Sequence, residues 1–374
     1  MKASEKVLLV GELSGFHTAL KHGLEELGCK VVTAGSGDGF KEIPVDINYY
    51  PSERFARSKL VYAFMKQFTV FGRLAGMKNH DIVQFISPAL FRNSFIPYSI
   101  RYNRMVYRRI INSNGNSFLV SCGSDPVFHS IGKHKLEYNP LDEEEKSNPV
   151  RSKSASAHKS YLRWNLELAK MVDGVIPATY EYKVGYLTYS NSISLSEIIP
   201  MPVRCSDFEY QPNRSKNNKI VIFHGISRPG YKGTDKILEA MKRIQVRYPD
   251  QVVLDSCERL PLKYYLEKIR RCNVLIDQCN SYGYGMNALI ALAMGKVVLS
   301  GARPEFLDAM NVADCPVVNI EPDSEHIYRR LENIISEKIG LEAHGENSRR
   351  YVEEHHDSVK VARQYMDYWR IRSK

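Results

Sequence analysis

The feature that most limits the possible folds of this 374-residue chain is an apolar run followed by a glycine-rich loop and a helical pattern, found twice in its second half. The apolar run 220–223 leads into the loop 224–235 and then into a helical segment. The run 274–277 leads in the same way into the loop 281–285 and a helical segment that ends near Gly295. Short apolar runs that alternate with helical patterns are typical of a parallel sheet covered by helices. The second half is therefore expected to be a doubly wound α/β unit.

Both loops have the composition of an anion-binding site. A helix N-terminus offers unpaired N–H groups and a positive dipole end, and glycine lets a ligand approach the backbone closely. The first loop adds Arg228 and Lys232, whose positive charges suit a diphosphate. Taken alone, this loop could equally be an ordinary turn with solvated charges. Two such loops in one α/β unit favour the diphosphate interpretation.

The first half shows the same alternation of apolar runs and helical patterns. Short strands are predicted at 7–10 and 118–121, among others, and the polar stretch 140–160 is predicted to be a flexible loop. The polar stretch 211–218 is typical of a linker. Strands and helices on both sides of a linker predict two Rossmann-like domains that face each other across a cleft. The phosphate loops are expected to open toward that cleft.

A basic and aromatic segment lies between residues 54 and 109. It contains eleven Lys or Arg residues, eleven aromatic residues and one acidic residue, Asp81, and it accounts for the whole formal net charge of +10. The simplest interpretation is a set of core rings beside a solvated helix face, and RNA binding is a further alternative. For the segment as a whole we favour an anionic membrane surface, with no nucleic-acid partner.

Cysteine usage and the N-terminal residues bear on the compartment. The seven cysteines are dispersed, with no Cys-x-x-Cys pair, which indicates free thiols in a reducing environment. The start of the sequence does not have the pattern of a signal peptide, and no stretch has the length and apolarity of a transmembrane helix. We expect a cytoplasmic protein that is peripheral at the membrane.

Taken together, the chain resembles the retaining glycosyltransferases of the two-Rossmann-domain (GT-B) type, in the family 4 group that builds bacterial polysaccharides. In the second half the resemblance is carried by the segments 223–235, 258–261, 277–278 and 283–296. In the first half it is carried by 14–17 and 123–125, and near the end of the chain by 359–369. It covers nearly the full chain.

The resemblance implies an α/β fold of two doubly wound domains with a C-terminal helix that crosses back to the first domain. The acceptor-side domain would span 1–203, completed by 358–374, and the donor-binding domain would span 204–357. The implied activity is transfer of a sugar, with retention, from a nucleoside-diphosphate sugar to a lipid-linked or polysaccharide acceptor. Capsule, O-antigen or exopolysaccharide synthesis at the inner face of the cell membrane is the implied setting, with no metal and no cofactor.

The same resemblance assigns roles to individual residues. Arg228 and Lys232 would stabilise the leaving diphosphate, and Asp125 would orient the acceptor hydroxyl or the donor sugar, unless it only forms a turn. On the acceptor side, Gly123 and Ser124 are candidates. The candidate donor-binding residues are Gly15, His224, Gly225, Tyr282, Gly283, Tyr284, Gly285, Met286 and Asn287.

One departure from the family pattern concerns two glutamates eight residues apart, the first near the donor sugar and the second on the donor ribose. Tyr282 and Ile290 occupy these positions here. Because an aliphatic side chain cannot accept hydrogen bonds from a ribose diol, Asn287 is a candidate replacement. The departure leaves open a non-catalytic protein that binds a nucleotide sugar or a glycan. A dinucleotide-dependent oxidoreductase is a weaker alternative, because residues 11–15 do not form a Gly-x-Gly-x-x-Gly motif.

Overall fold

Two parallel sheets, one in each half of the chain, form the framework of the computed structural model. It describes residues 4–39, 42–51, 58–91, 99–147, 159–258, 260–336 and 340–372. Helices cover both sheets, so the predicted α/β class is confirmed. Within the described ranges, no helix is both long and apolar enough to cross a bilayer.

The first sheet has six strands in the order β3-β2-β1-β4-β5-β6, and every neighbouring pair is parallel. Its strands are β1 (Lys6–Val10), β2 (Lys30–Gly35), β3 (Ile47–Asn48), β4 (Ile82–Phe85), β5 (Asn116–Ser121) and β6 (Gly174–Pro177). The helices of this half are α1 (Phe16–Glu26), α2 (Lys59–Arg73), α3 (Ser99–Ile111), α4 (Pro126–Ser130), α5 (Pro140–Ser147), α6 (Lys159–Met171) and α7 (Tyr180–Tyr186).

The second sheet has five parallel strands in the order β11-β10-β9-β7-β8. They are β7 (Ile220–Ile226), β8 (Val252–Glu258), β9 (Val274–Ile276), β10 (Val297–Ser300) and β11 (Val318–Asn319). The helices that follow in the chain are α8 (Pro229–Lys232), α9 (Thr234–Arg247), α10 (Leu262–Arg271), α11 (Met286–Ala293), α12 (Pro304–Ala309), α13 (Ser324–Ser336), α14 (Leu341–His355) and α15 (Ser358–Arg372).

The central strands are buried on both faces, as expected for a parallel sheet between two helix layers. Residues 7–10 of β1 and 297–299 of β10 are fully inaccessible to solvent. Continuous apolar runs of this kind gave the strand predictions, and the observed strands begin and end within two residues of the predicted runs at 7–10, 118–121 and 274–277. Burial of these runs on both faces supplies much of the favourable free energy of folding.

The last helix, α15, crosses back to the first half, as predicted. It packs on α1 so closely that a Cβ atom at Gly23 would lie 1.9 Å from the Ser358 carbonyl oxygen. Only glycine permits this approach of the two helices. The chain passes between the halves near Val203 and again near Asp357. These two crossings are paired, since Val203 N donates to His356 O at 2.7 Å and Ser358 N donates to Val203 O at 2.9 Å.

The polar stretch 140–160 is a helix over its first part, where a loop was predicted. Asn139 caps this helix, α5, because its Oδ1 accepts hydrogen bonds from Leu141 N at 3.1 Å and Asp142 N at 3.0 Å. The helix packs against α8 of the second half, and residues 148–158 lie outside the described ranges. A short acidic helix was missed because its stabilising contacts come from a distant part of the chain.

The basic aromatic segment 54–109 divides into core and surface, with 54–57 and 92–98 outside the described residues. Phe85, Phe91 and Tyr107 belong to the core, which agrees with the simplest interpretation for these rings. On α2 the side chains of Val61, Phe64, Phe68 and Phe71 are exposed instead, with Phe64 58% and Phe68 57% accessible.

Candidate functional site

A cavity of about 760 Å³ lies between the two halves, where the carboxyl ends of several parallel strands meet. Ligands of doubly wound proteins bind at this edge of the sheet. From the first half it is lined by the loop after β1 and the loop after β5, and from the second half by the loops after β7 and β9. Among the predicted residues that line it are Gly15, Gly123, Ser124, Gly225, Arg228, Lys232, Gly283, Tyr284, Gly285, Met286 and Asn287.

The loop after β1 brings backbone N–H groups toward the cavity. Gly15 adopts the left-handed conformation with φ +85° and directly precedes α1, and Glu12 Oε2 accepts a hydrogen bond at 2.8 Å from Thr18 N in the first turn of this helix. A Cβ atom at Gly15 would meet nothing within 4 Å, so the space above it is open. The neighbouring turn is fixed by Asp38, whose Oδ2 accepts a hydrogen bond from Ser14 N at 2.8 Å. The open space at Gly15 lets a ligand approach the backbone of this loop, whereas the Glu12 carboxylate already occupies the N-terminus of α1.

Lys232 ends α8 and projects into a buried polar network. Its Nζ donates to Asp277 Oδ1 at 2.9 Å and to the Gly225 carbonyl oxygen at 3.2 Å. Asn287 Nδ2 also donates to Asp277 Oδ1, at 2.7 Å, and Tyr265 OH donates to Asn287 Oδ1 at 2.7 Å. Only 9% of Lys232 is accessible, so its ammonium charge is held at a defined place in a poorly hydrated site. In the ligand-free protein Asp277 neutralises that charge.

Arg228 lies at the other end of α8 and is held from two sides. Its guanidinium lies over the Tyr231 ring, 3.8 Å from the centroid. It also forms a two-bond ion pair with Glu144 of α5, in which Nε donates to Oε1 at 3.0 Å and Nη2 donates to Oε2. A planar guanidinium held by a ring face and a carboxylate has little freedom to reorient. The sequence-predicted pair of cations therefore lines one cavity, and each is matched by an acid.

The second glycine loop, between β9 and α11, faces the cavity with its backbone. Gly285 precedes α11 with no side-chain cap, and a Cβ atom there would meet nothing within 4 Å. Gly283 N donates to Glu181 Oε1 of α7 at 2.9 Å, which joins this loop to the first half. Tyr284 connects the loop to the end of α14, since its OH donates a hydrogen bond to His356 Nε2 at 3.1 Å. The loop is thus fixed with an open helix N-terminus, as an anion site requires.

An apolar surface adjoins the glycine loop and the Lys232 network. Ile290 belongs to this surface. The cavity therefore presents an aliphatic side chain where the family pattern has its second glutamate. Such a surface can pack against a flat aromatic base but cannot accept hydrogen bonds from hydroxyl groups. The apolar residues that line it are Ile226, Cys257, Leu260, Leu262, Tyr265 and Ile290.

Asp125 does not line the cavity. It caps α4, because Oδ1 accepts from Val127 N at 2.8 Å and from Phe128 N at 3.0 Å. Its Oδ2 accepts from Ser121 Oγ and Tyr186 OH, both at 2.9 Å, and the carboxylate is fully buried. The structure therefore makes Asp125 the N-cap of α4, neither the turn residue named above as the alternative nor a residue that contacts an acceptor or a sugar.

His224 and Tyr282 also lie outside the cavity lining. His224 Nδ1 donates to Ile276 O at 2.8 Å and its Nε2 accepts from Thr234 Oγ1 at 3.0 Å, while burial lowers its pKa to about 4. It is a neutral histidine that ties β7 to β9 and α9. Tyr282 turns toward the first half, where its ring stacks on Tyr180 at 5.8 Å and its OH accepts from Glu137 N at 3.0 Å.

Among the acids near the cavity that were not predicted site residues, three contact predicted ones. Glu144 and Glu181 approach from the first half, and Asp277 approaches from the end of β9. The acidic run 142–145 was the one available signal for Glu144. Within the described part of the chain, no group of three or more His, Cys, Asp or Glu side chains is arranged to hold a metal ion.

The fold is shared with solved structures of low sequence identity. Sucrose-phosphate synthase from Thermosynechococcus elongatus has a TM-score of 0.59 at 14% identity over 98% of each chain. HepE from Anabaena, in complex with UDP and glucose, has a TM-score of 0.59 at 12% identity, covering 98% of this chain and 99% of that one. A glycosyltransferase from Rickettsia africae has a TM-score of 0.54 at 13% identity over 99% of each chain.

These likenesses confirm the predicted fold of two Rossmann-like units across a cleft. The sequence matches no protein-family model. It also matches no curated protein.

Proposed function

We propose that this protein is a glycosyltransferase that transfers a sugar, with retention, from a nucleoside-diphosphate sugar to a lipid-linked or polysaccharide acceptor in bacterial surface polysaccharide synthesis. The observation that carries the proposal is the arrangement of Arg228, Lys232 and the loop 283–285 around one cavity. Two cations and the open N-terminus of α11 form a site for a diphosphate. HepE, which has the same fold, was solved with UDP and glucose.

The proposed chemistry depends on stabilising a leaving group. As the bond from the sugar to the diphosphate breaks, negative charge grows on the diphosphate oxygens. Cations and N–H dipoles that are already in position lower the free energy of that transition state more than that of the bound donor. Lys232 and Arg228 would take this role, with Asp277 and Glu144 holding their charges in place before the donor binds. No metal or cofactor is required in this scheme.

The apolar surface at Ile290 gives the proposed donor an orientation. The base would pack on this surface, near Tyr265 and Leu262, and the diphosphate would reach from there to Lys232 and the glycine loop. The sugar would then lie toward the first half, beside Gly123 and Ser124. Asn287 is the polar group beside the apolar surface, although Asp277 and Tyr265 already engage its side chain.

A peripheral membrane position is part of the same proposal, and α2 supports it. The exposed side chains of Val61, Phe64, Phe68 and Phe71 recur at three- and four-residue intervals, so they form one stripe along the helix. The rings of Phe64 and Phe68 contact each other, with centroids 4.8 Å apart. Exposed arginines lie nearby on α2 and α3. An apolar stripe with cations around it suits the headgroup layer of an anionic membrane, where a lipid-linked acceptor would be found.

The experiment is a ligand panel followed by a turnover assay. UDP, GDP, ADP, CMP and their sugar conjugates would be tested for stabilisation in thermal shift; a specific ligand at a hundredfold excess over its Kd adds about 2.7 kcal/mol. The stabilising donor would then be incubated with lipid-linked acceptors, and release of the nucleotide would be measured. Lys232→Ala is expected to lower turnover about a hundredfold or more, by analogy with loss of one charge-stabilising donor. Lys242→Ala, an exposed lysine of α9, is the matched control.

Near-normal turnover by the Lys232→Ala variant would remove this lysine from the mechanism. The alternative of a non-catalytic protein makes a different prediction for the same assay. It predicts a stabilising nucleotide sugar but neither transfer nor donor hydrolysis at any acceptor concentration. If no ligand of the panel stabilises the protein, both the transferase and a protein that binds a nucleotide sugar are refuted, and the glycan-binding form of the non-catalytic alternative is left.

A further inference from the structure

Glu181 is a buried acid at the interface of the two halves. It lies in the first turn of α7, is 5% accessible and is part of the cavity lining. Its Oε1 accepts the hydrogen bond from Gly283 N of the opposite half. Its Oε2 has no hydrogen-bond partner among the described residues. A carboxylate at the phosphate loop thus has one oxygen engaged and one oxygen with its acceptor capacity unused.

An unused carboxylate oxygen in a buried place is costly, because it has lost its water and gained no donor. The glycine loop has no acid of its own between Ser281 and Asn287. The other carboxylate near this loop, Asp277, already accepts hydrogen bonds from Lys232 and Asn287. Glu181 is therefore the acid beside the glycine loop that still requires a hydrogen-bond donor.

We propose that Glu181 binds the donor sugar by accepting a hydrogen bond from one of its hydroxyl groups. This inference rests on the proposed function and deepens it, since it names the group that recognises the sugar part of the donor. Sugar hydroxyls are O–H donors, and a charged acceptor makes the resulting hydrogen bond stronger than a neutral one. Oε2 is buried between the two halves, so a hydroxyl group that pairs with it is shielded from bulk water.

Glu181 belongs to the first half, whereas the glycine loop belongs to the second half, and this affects which ligands use the contact. Glu181 meets the loop through Gly283 N, so its contact with the sugar exists only when the two halves are together. Binding of the nucleotide alone does not use this contact, because the base would meet the apolar surface and the diphosphate would meet Arg228, Lys232 and the glycine loops, not Oε2 of Glu181. Glu181 is therefore expected to contribute to the affinity for the nucleotide sugar but not to the affinity for the nucleotide alone.

The test compares UDP with UDP-glucose, or GDP with GDP-mannose if the guanine pair is the one that binds. Dissociation constants would be measured by isothermal titration calorimetry for the full-length wild type, Glu181→Gln and the control Glu197→Gln, an exposed acid of the same half. The measured quantity is the ratio of the nucleotide Kd to the nucleotide-sugar Kd. We expect Glu181→Gln to lower this ratio about tenfold, in the range for a lost charged hydrogen bond, while Glu197→Gln leaves it unchanged.

Glu181→Asp provides a second variant, because it keeps the charge but shortens the side chain, and it is also expected to lower the ratio. If Glu181→Gln weakens both ligands equally, Glu181 only clamps the two halves and the inference is overturned. An unchanged ratio overturns it as well. If the wild type binds none of the nucleotides and nucleotide sugars of the thermal-shift panel, the proposed function itself is refuted and the inference falls with it. Thermal unfolding of each variant shows whether the ratio was measured on folded protein.

Discussion

Replacement of Lys232 by methionine is expected to separate what this lysine does for the fold from what it does for a ligand. The side chains of Lys232 and Asp277 are both buried, and their charged atoms lie 2.9 Å apart. Removing one partner of a buried ion pair leaves an uncompensated charge, which typically costs about 3–5 kcal/mol. Asn287 still donates to Asp277 at 2.7 Å, so we expect a loss near the lower end, about 3 kcal/mol.

The assay is differential scanning calorimetry of the wild type, Lys232→Met and the double variant Lys232→Met/Asp277→Asn. At about 2–4 °C per kcal/mol, the single variant should melt roughly 6–12 °C below the wild type. The double variant should recover much of this loss, because the neutral amide no longer needs a cation. It should not recover UDP binding, because the cation that would meet the diphosphate is still missing.

Two results would refute this reasoning. A single variant that melts within about 2 °C of the wild type would show that the buried pair contributes almost nothing to stability. A double variant that binds UDP as tightly as the wild type would show that Lys232 does not contact the diphosphate. The first result concerns the energetics of the pair, and the second concerns the function of the site.

Three further predictions concern other parts of the molecule. Gly15→Ala and Gly28→Ala both place a side chain at positive φ in open space, so each variant should lose about 1 kcal/mol of stability. Only Gly15→Ala should weaken UDP binding. Equal UDP binding by the two variants would contradict a phosphate role for the loop after β1. Phe68→Asp should reduce sedimentation with anionic vesicles severalfold, whereas Val246→Asp, an exposed change in the second half, should not; equal effects would argue against a docking role for α2. Because burial lowers the pKa of His224 to about 4, the unfolded chain binds a proton there below pH 6.5 and the folded protein does not, so stability should fall from pH 6.5 toward pH 4. Urea midpoints for the wild type and His224→Gln should show a shallower fall in the variant, and identical slopes would contradict this assignment.

Local patterns were sufficient to predict the strands and the position of the glycine loops at the cavity. A run such as 274–277 is apolar because both of its faces are covered, and the glycines at 283 and 285 mark a backbone that a ligand can approach. These properties depend on neighbours in the chain, so they can be read from the sequence. For this reason Arg228, Lys232 and the loop 283–285 were placed correctly at one cavity.

The acids that face these groups could not be predicted, because their partners are far away in the chain. Glu144 and Arg228 are 84 residues apart, and Glu181 and Gly283 are 102 residues apart. Asp125 shows a different problem, since its sequence context suggested an active-site acid or a turn residue, and the structure makes it a helix cap. Only the hydrogen bonds from Val127 N and Phe128 N distinguish the two. The direction in which a side chain points is a property of the fold and not of a short motif.

The paired crossings at Val203 and Asp357 restrict how the molecule can open. The polypeptide enters and leaves the second half at two adjacent points, and α15 packs on α1 of the first half. The covalent connections between the two halves therefore lie side by side. We therefore expect the two halves to open by rotation about these adjacent crossings. The distance between a fluorophore pair on α2 and α13 would then depend on one opening angle. A ligand that brings the two halves together is expected to shorten this distance.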